Sequence, residues 1–190
     1  MTHSYNTHDY WFNNTTVQTG GSNYKSERVF KGLVSSGLVS IPSEGKCVQM
    51  GVHTGITLHH FKKFFGENRT IGIDMYNINN DECVITADIN TFTDNIPIAF
   101  AENDIGDCKV DPHTRFAAFE WAIANLVPSG VLITTSNLAN DVFPRAVEDV
   151  CVEHNCEWHS LSEYNHMPWA IDMNDNSIWN TASMMMVIKK

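Results

Sequence analysis

The sequence predicts an α/β fold: a mainly parallel sheet with helices on both faces, closed by an antiparallel C-terminal strand. Three observations predict it. Short apolar runs bounded by glycine, proline or asparagine alternate with stretches of helical spacing, and that alternation means a parallel sheet covered by helices. The last two apolar runs, Glu157–Leu161 and Ser183–Ile188, have no helical pattern between them, so the final strand returns antiparallel. The chain is 190 residues long and 43% hydrophobic, which suits one domain with its own core.

Each element has a local reason. Val29, Leu33 and Leu38 fall near helical spacing, so Ser26–Leu38 reads as a helix stopped before Pro42. Cys47–Met50 is a short buried strand that Gly51 ends. Gly55–Phe65 is a helix with Ile56, Leu58, Phe61, Phe64 and Phe65 on or near one face, terminated by Gly66. Thr70–Asp74, Cys83–Asp88 and Ile96–Ala101 are the next three strands. Pro112–Leu126 is a long amphipathic helix, with proline in its first turn. Pro128-Ser129-Gly130 turns tightly into the strand Val131–Thr135, and Asn140–His154 is the last helix, with Val142, Ala146, Val150 and Cys151 inward. Residues 1–24 are rich in His, Asn, Thr and Gly without periodicity. They read as a flexible N-terminal arm, or as a lid whose Tyr10, Trp11 and Phe12 cover a ligand. Residues 25–190 form the domain.

Composition limits the function. The net charge of −10, with only 12 Lys and Arg, repels phosphate backbones and anionic membranes, so nucleic acid is a disfavoured partner. No apolar run approaches the roughly 20 residues of a membrane helix. The polar N-terminus lacks a secretory pattern, and five cysteines without a close pair read as reduced thiols of a cytoplasmic protein.

The chemistry concentrates in Val48–Thr57. A buried strand runs into a glycine bend, Gly51-Val-His53-Thr54-Gly55, and then into a helix whose first N–H groups can meet polar atoms. Asp74 ends the next strand, where a carboxylate can accept hydrogen bonds from a pair of ribose hydroxyls. Asp88 ends the third strand, and Asn103-Asp104 follows the fourth. These groups align along the sheet edge where open α/β sheets bind ligands.

Gly51-Val-His-Thr-Gly55-Ile-Thr57, Ile71-Gly-Ile-Asp74 and Ala87-Asp88 together resemble the first three motifs of the class I S-adenosylmethionine (SAM)-dependent methyltransferases, in the flavour of small-molecule O-methyltransferases. The resemblance covers roughly Lys46 to Ser136. It implies a Rossmann-like fold with a reversed final strand, SAM as cofactor and a small-molecule methyl acceptor. It further implies that Gly51, His53, Thr54 and Gly55 surround the methionine portion. Asp74 would then hold the ribose with Met75 beside the adenine, Asp88 and Ile89 flank the ring, and Asn103 and Asp104 face the sulfonium and amino group. His113, nine residues after Asp104 and at the start of the long helix, is the candidate base, with His53 a second candidate; Asp104 is the other catalytic candidate. Tyr164, His166, Trp169 and Trp179 would overhang the acceptor.

The chain departs from the pattern in three places. The links Asp74–Cys83 and Asp88–Ile96 are short for helical crossovers, which leaves one sheet face thinly covered and suits a homodimer through that face. Metal-using relatives carry acidic residues where this chain reads Thr134-Thr-Ser-Asn137, so no metal is expected. Two other functions compete. One is a catalytically inactive SAM-binding or regulatory protein of the same fold. The other is a dinucleotide oxidoreductase, which the missing Gly-x-Gly-x-x-Gly pattern disfavours.

Overall fold

A computed structural model gives the structure of the chain and describes residues 23–105, 112–134, 144–167, 170 and 184–190. The N-terminal aromatics, Val142, Trp169 and Trp179 lie outside the described residues. In chain order the helices are α1 (Asn23–Ser35), α2 (Ile56–Phe65), α3 (Pro112–Asn125) and α4 (Pro144–Glu153). The strands are β1 (Lys46–Met50), β2 (Thr70–Asp74), β3 (Val84–Thr86), β4 (Ile98–Asn103), β5 (Leu126–Thr134), β6 (Cys156–Ser160) and β7 (Met185–Lys189). They form one sheet in the order β3-β2-β1-β4-β5-β7-β6. The ladders from β3 through β5 are parallel. β7 is antiparallel to both its neighbours, β5 and β6, so it is the reversed strand and lies between two strands that share one direction.

Alternation along β1 and β4 divides the core into two layers. Cys47 and Phe100 point to one face, where Phe30 and Leu33 of α1 and Phe61 of α2 cover them. The aromatic rings there pack closely, with Phe30 and Phe100 4.5 Å apart at their centroids. Val48, Met50 and Ala101 point to the other face, under Phe119 and Ile123 of α3 and Val147 and Cys151 of α4. Helices therefore lie on both faces. Ala146 and Val150 of α4 are only half-buried.

Several boundaries differ from the sequence reading. β4 runs to Asn103, so that residue is buried in the strand rather than following it. β3 stops at Thr86, which leaves Asp88 exposed two residues beyond. Pro128-Ser129-Gly130 sits inside β5, where the register with β4 slips between Leu126 and Val131. Ser129 there has φ +62, and a Cβ on Gly130 would stand 2.7 Å from the Ile98 carbonyl oxygen. The turn is thus an irregularity in the strand, and the close approach requires glycine. On α2, Phe64 is half-exposed whereas Thr57 and His60 are buried, so the covered stripe is rotated toward two polar residues.

The short β3–β4 link does not leave its face bare. Ile89, Phe92 and Ile96 pack into the α3 layer, and Phe92 meets Trp121 at 5.2 Å. Trp121 Nε1 donates to the Asp94 carbonyl, and Ile96 N donates to Asn125 Oδ1. A loop plugged by three apolar side chains and tied to α3 does the work of a crossover helix.

Candidate functional site at the C-terminal edge of the sheet

The bend after β1 is an unusual piece of backbone. Gly51, His53 and Gly55 have φ of +84, +47 and +75, three left-handed residues within five. Glycine adopts this conformation freely, but an L-residue such as His53 is strained there. Asp74, at the end of neighbouring β2, holds the bend in place. Its Oδ2 accepts hydrogen bonds from Val52 N at 2.7 Å and His53 N at 2.9 Å, and its Oδ1 accepts from Tyr76 N at 2.9 Å. Bonds from backbone N–H to a carboxylate are charge-assisted and short. The Val52 and His53 amides of the bend are therefore satisfied within the chain. A carboxylate has about four acceptor positions, so Oδ1 keeps capacity for one further donor.

Gly51 also has a reason other than ligand approach. A Cβ there would stand 2.7 Å from the Asp104 carbonyl oxygen, and Asp104 N donates to the Met50 carbonyl at 2.9 Å. The glycine admits the chain leaving β4. At Gly55, which begins α2 with no side-chain cap, an added Cβ would meet only Asn79 Nδ2 at 3.6 Å and Val52 Cγ1 at 3.9 Å.

The remaining predicted residues separate into exposed and internal groups. His53, Thr54, Asp88 and His113 are exposed, and Met75 is 56% exposed at the edge beside Asp74. Asp88 Oδ1 accepts from both nitrogens of Asn90, so it shapes its own turn. Ile89, next to Asp88, is buried in the core cluster under α3. Asn103 Nδ2 donates to the Arg115 carbonyl and Oδ1 accepts from Ile105 N, so its carboxamide fastens the β4 exit to α3. Among the described residues, no three His, Cys, Asp or Glu cluster in a way that could hold a metal ion.

Three features were missed by sequence reasoning. Gln49, one strand residue before Met50, is fully buried, and among the described residues its carboxamide makes no hydrogen bond. The β2–β3 loop is knotted: Asn77 exchanges two hydrogen bonds with the Asp81 backbone, and Asn79 Nδ2 donates to the Thr54 carbonyl at 2.7 Å. Lys62 of α2 pairs with Asp81 at 2.6 Å. Desolvation pushes the Asp81 carboxyl up, but the hydrogen bonds from Lys62 and Cys83 N outweigh it and hold the group below its usual range. Only the Asn77-x-x-x-Asp81 spacing hinted at this in the sequence. Between this loop and the bend lies an open cavity of about 310 Å³, lined by residues 52–56, His59, residues 76–79, Asp81 and Val84.

The strand order, with β7 the one reversed strand among the described residues, decides the fold, and comparison with solved structures agrees. The fold is that of the class I SAM-dependent methyltransferases. The chain is similar to CalS10 of Micromonospora echinaspora, an amino pentose methyltransferase with SAM bound, at 10% identity and a TM-score of 0.56, over 91% of this chain and 93% of that one. It is also similar to the magnesium protoporphyrin IX methyltransferase of Synechocystis PCC 6803, again with SAM bound, at 8% identity and a TM-score of 0.50, over 88% and 79%. No protein-family model matches the chain, and no curated protein sequence does. The methyltransferase fold places Asp74 and the bend at the C-terminal ends of β2 and β1, the crevice where open α/β sheets take ligands. No described helix is long and apolar enough to cross a membrane.

Proposed function

We propose that the protein is a SAM-dependent methyltransferase acting on a small molecule, with oxygen as the methylated atom. One observation carries the reading: within this strand order, the Asp74 carboxylate sits against the β1–α2 bend with acceptor capacity remaining on Oδ1. The residues present suit SAM. Oδ1 would accept from a ribose hydroxyl. Met75, exposed beside it, offers an apolar surface to the adenine, with Asp88 and the Ile89 backbone on the other side. His53, Thr54 and Gly55, with Gly51 shaping the bend beneath, would surround the methionine portion. The buried Gln49 amide, two residues from Gly51, would gain a polar partner that the described residues do not supply. Asn103 and Asp104 would border the sulfonium side.

When bound, SAM supplies an electrophilic methyl group. The chain's own part is to orient the acceptor and remove its proton. His113, exposed in the first turn of α3, is assigned as the proton acceptor, with Asp104, in the loop leaving β4, as the second catalytic residue. Cytoplasmic location and homodimer formation belong to the same proposal.

The test is calorimetric titration of SAM and S-adenosylhomocysteine into the protein, followed by radiolabelled methyl transfer to a panel of hydroxylated small molecules. Binding with transfer supports the reading. Absence of binding removes it. Binding without transfer to any acceptor leaves the non-catalytic SAM-binding protein, a reading favoured by the Asn103 carboxamide being engaged at both ends within the chain.

A further inference from the structure

We infer that Asn79, in the β2–β3 loop, is a positioning residue for the cofactor site: its side chain fixes the Thr54–Gly55 peptide and so sets the affinity for the methionine portion of SAM. The inference rests on the methyltransferase reading and extends it to a residue from a neighbouring loop. The bend is pinned from two sides. On the β2 side, Gly51 N donates to the Ile73 carbonyl, and Val52 N and His53 N donate to Asp74. None of these bonds reaches the last peptide of the bend, which joins Thr54 to Gly55. Its N–H donates to the Val52 carbonyl at 2.8 Å and closes a tight turn, while its C=O accepts from Asn79 Nδ2 at 2.7 Å. Gly55 by itself does not hold this orientation. It has φ +75, and glycine passes between both signs of φ at little cost. A Cβ added there would meet nothing closer than 3.6 Å, so packing does not lock it either. A peptide next to such a glycine keeps one orientation only when both its ends are bonded, and Asn79 supplies the second bond.

The loop presents this amide from a stiff frame. Asn77 Nδ2 donates to the Asp81 carbonyl at 2.9 Å, and Asn77 Oδ1 accepts from Asp81 N at 2.8 Å. Residues 77–81 thus form a closed turn with Asn79 at its middle. Asn80 takes a left-handed backbone, φ +51, which asparagine tolerates. Lys62 of α2 ties Asp81 down at 2.6 Å, so the helix that begins at the bend also anchors the loop that braces it. A donor already held in place loses little freedom on bonding, so more of the bond's energy reaches the bend. In the proposed site Thr54 and Gly55 meet the methionine portion, whereas Asp74 and Met75 meet the ribose and the adenine. Asn79 therefore acts on one end of the cofactor and not on the other.

The test is calorimetric titration of S-adenosylhomocysteine and of adenosine into the full chain, as wild type and as Asn79→Ala. Adenosine carries the base and the ribose without the methionine portion. Asn79 is exposed, so the variant folds. Its S-adenosylhomocysteine affinity should fall about fivefold, as for loss of one uncharged hydrogen bond, while its adenosine affinity stays within about twofold. Amide exchange at Gly55, followed by NMR in the free protein, should quicken by about the same fivefold. A general loosening of the site would weaken both ligands alike, and an idle side chain would weaken neither. Either result overturns the inference, as does unchanged exchange at Gly55. Failure of the wild type to bind S-adenosylhomocysteine overturns the methyltransferase reading, and this inference falls with it; wild-type binding with an unaffected variant removes this inference alone.

Discussion

At the scale of single residues, Asp74 braces the β1–α2 bend, a role the sequence did not suggest. A strand-end carboxylate is legible from its position, but its hydrogen bonds to Val52 and His53 depend on how β1 and β2 lie side by side. Asp74→Ala should therefore weaken SAM binding and also destabilise the fold by about 1–3 kcal/mol, the cost of leaving charge-assisted donors unmet. Thermal unfolding and calorimetry of the same variant read both effects, and an unchanged melting temperature would remove the bracing role. Gln49→Met tests the opposite balance. It replaces a buried amide without a hydrogen-bond partner among the described residues by an apolar chain of similar volume, so stability should hold or rise while SAM affinity falls; retained affinity would show that the amide serves no ligand. His60 gives a pH dependence. Burial first, then His59, Lys63 and Lys31, pushes its imidazole down to about 4, whereas an unfolded histidine titrates near 6.5. Between those values the unfolded chain binds the extra proton. Stability is whole above about pH 6.5, declines by on the order of 3 kcal/mol as pH falls toward 4, and is flat below. His60→Leu should flatten that decline in urea midpoints measured across the range.

At the scale of elements, the β2–β3 loop shows how a short link is made firm. Lys62 reaches from α2 to Asp81, and Asp81 also accepts from Cys83 N. Asp81→Asn should loosen the loop rather than unfold the domain, at a cost of about 1 kcal/mol for a partly exposed pair. Hydrogen exchange should quicken at residues 76–83 and stay slow in β1 and β4; uniform change across the sheet would count against a local tie. The helices themselves were readable because their apolar spacing is local. The rotation of α2 was not. Thr57 and His60 are buried while Phe64 is half-exposed, since what covers each position is set by α1 and the sheet rather than by hydropathy.

At the scale of the whole molecule, β7 is the piece on which the rest closes. It comes last in the chain yet lies between β5 and β6, and Met185 and Val187 face the α3–α4 layer. Without it, two strands of one direction would face each other across an empty ladder, each with unpaired backbone groups. Removal of residues 185–190 should therefore abolish cooperative unfolding, seen as loss of the sigmoidal transition in circular dichroism. Survival of that transition would mean that the N-terminal half of the sheet folds alone. The reversed direction was visible in the sequence as a missing crossover, but insertion between β5 and β6 was not, because adjacency in a sheet is a long-range property.

The amino-acid sequence by itself determined the class of fold and the edge at which the polar groups collect. Alternating periodicity, glycine bends and strand-end carboxylates are local signals, and each acts within a few residues. The tertiary structure alone decided what those groups do to one another. Asp74 is turned onto the bend, Gly51 receives the chain leaving β4, Ile89 goes into the core, and a braced cavity opens beside α2. Each of these joins residues distant in sequence, and no spacing along the chain encodes a distance across it.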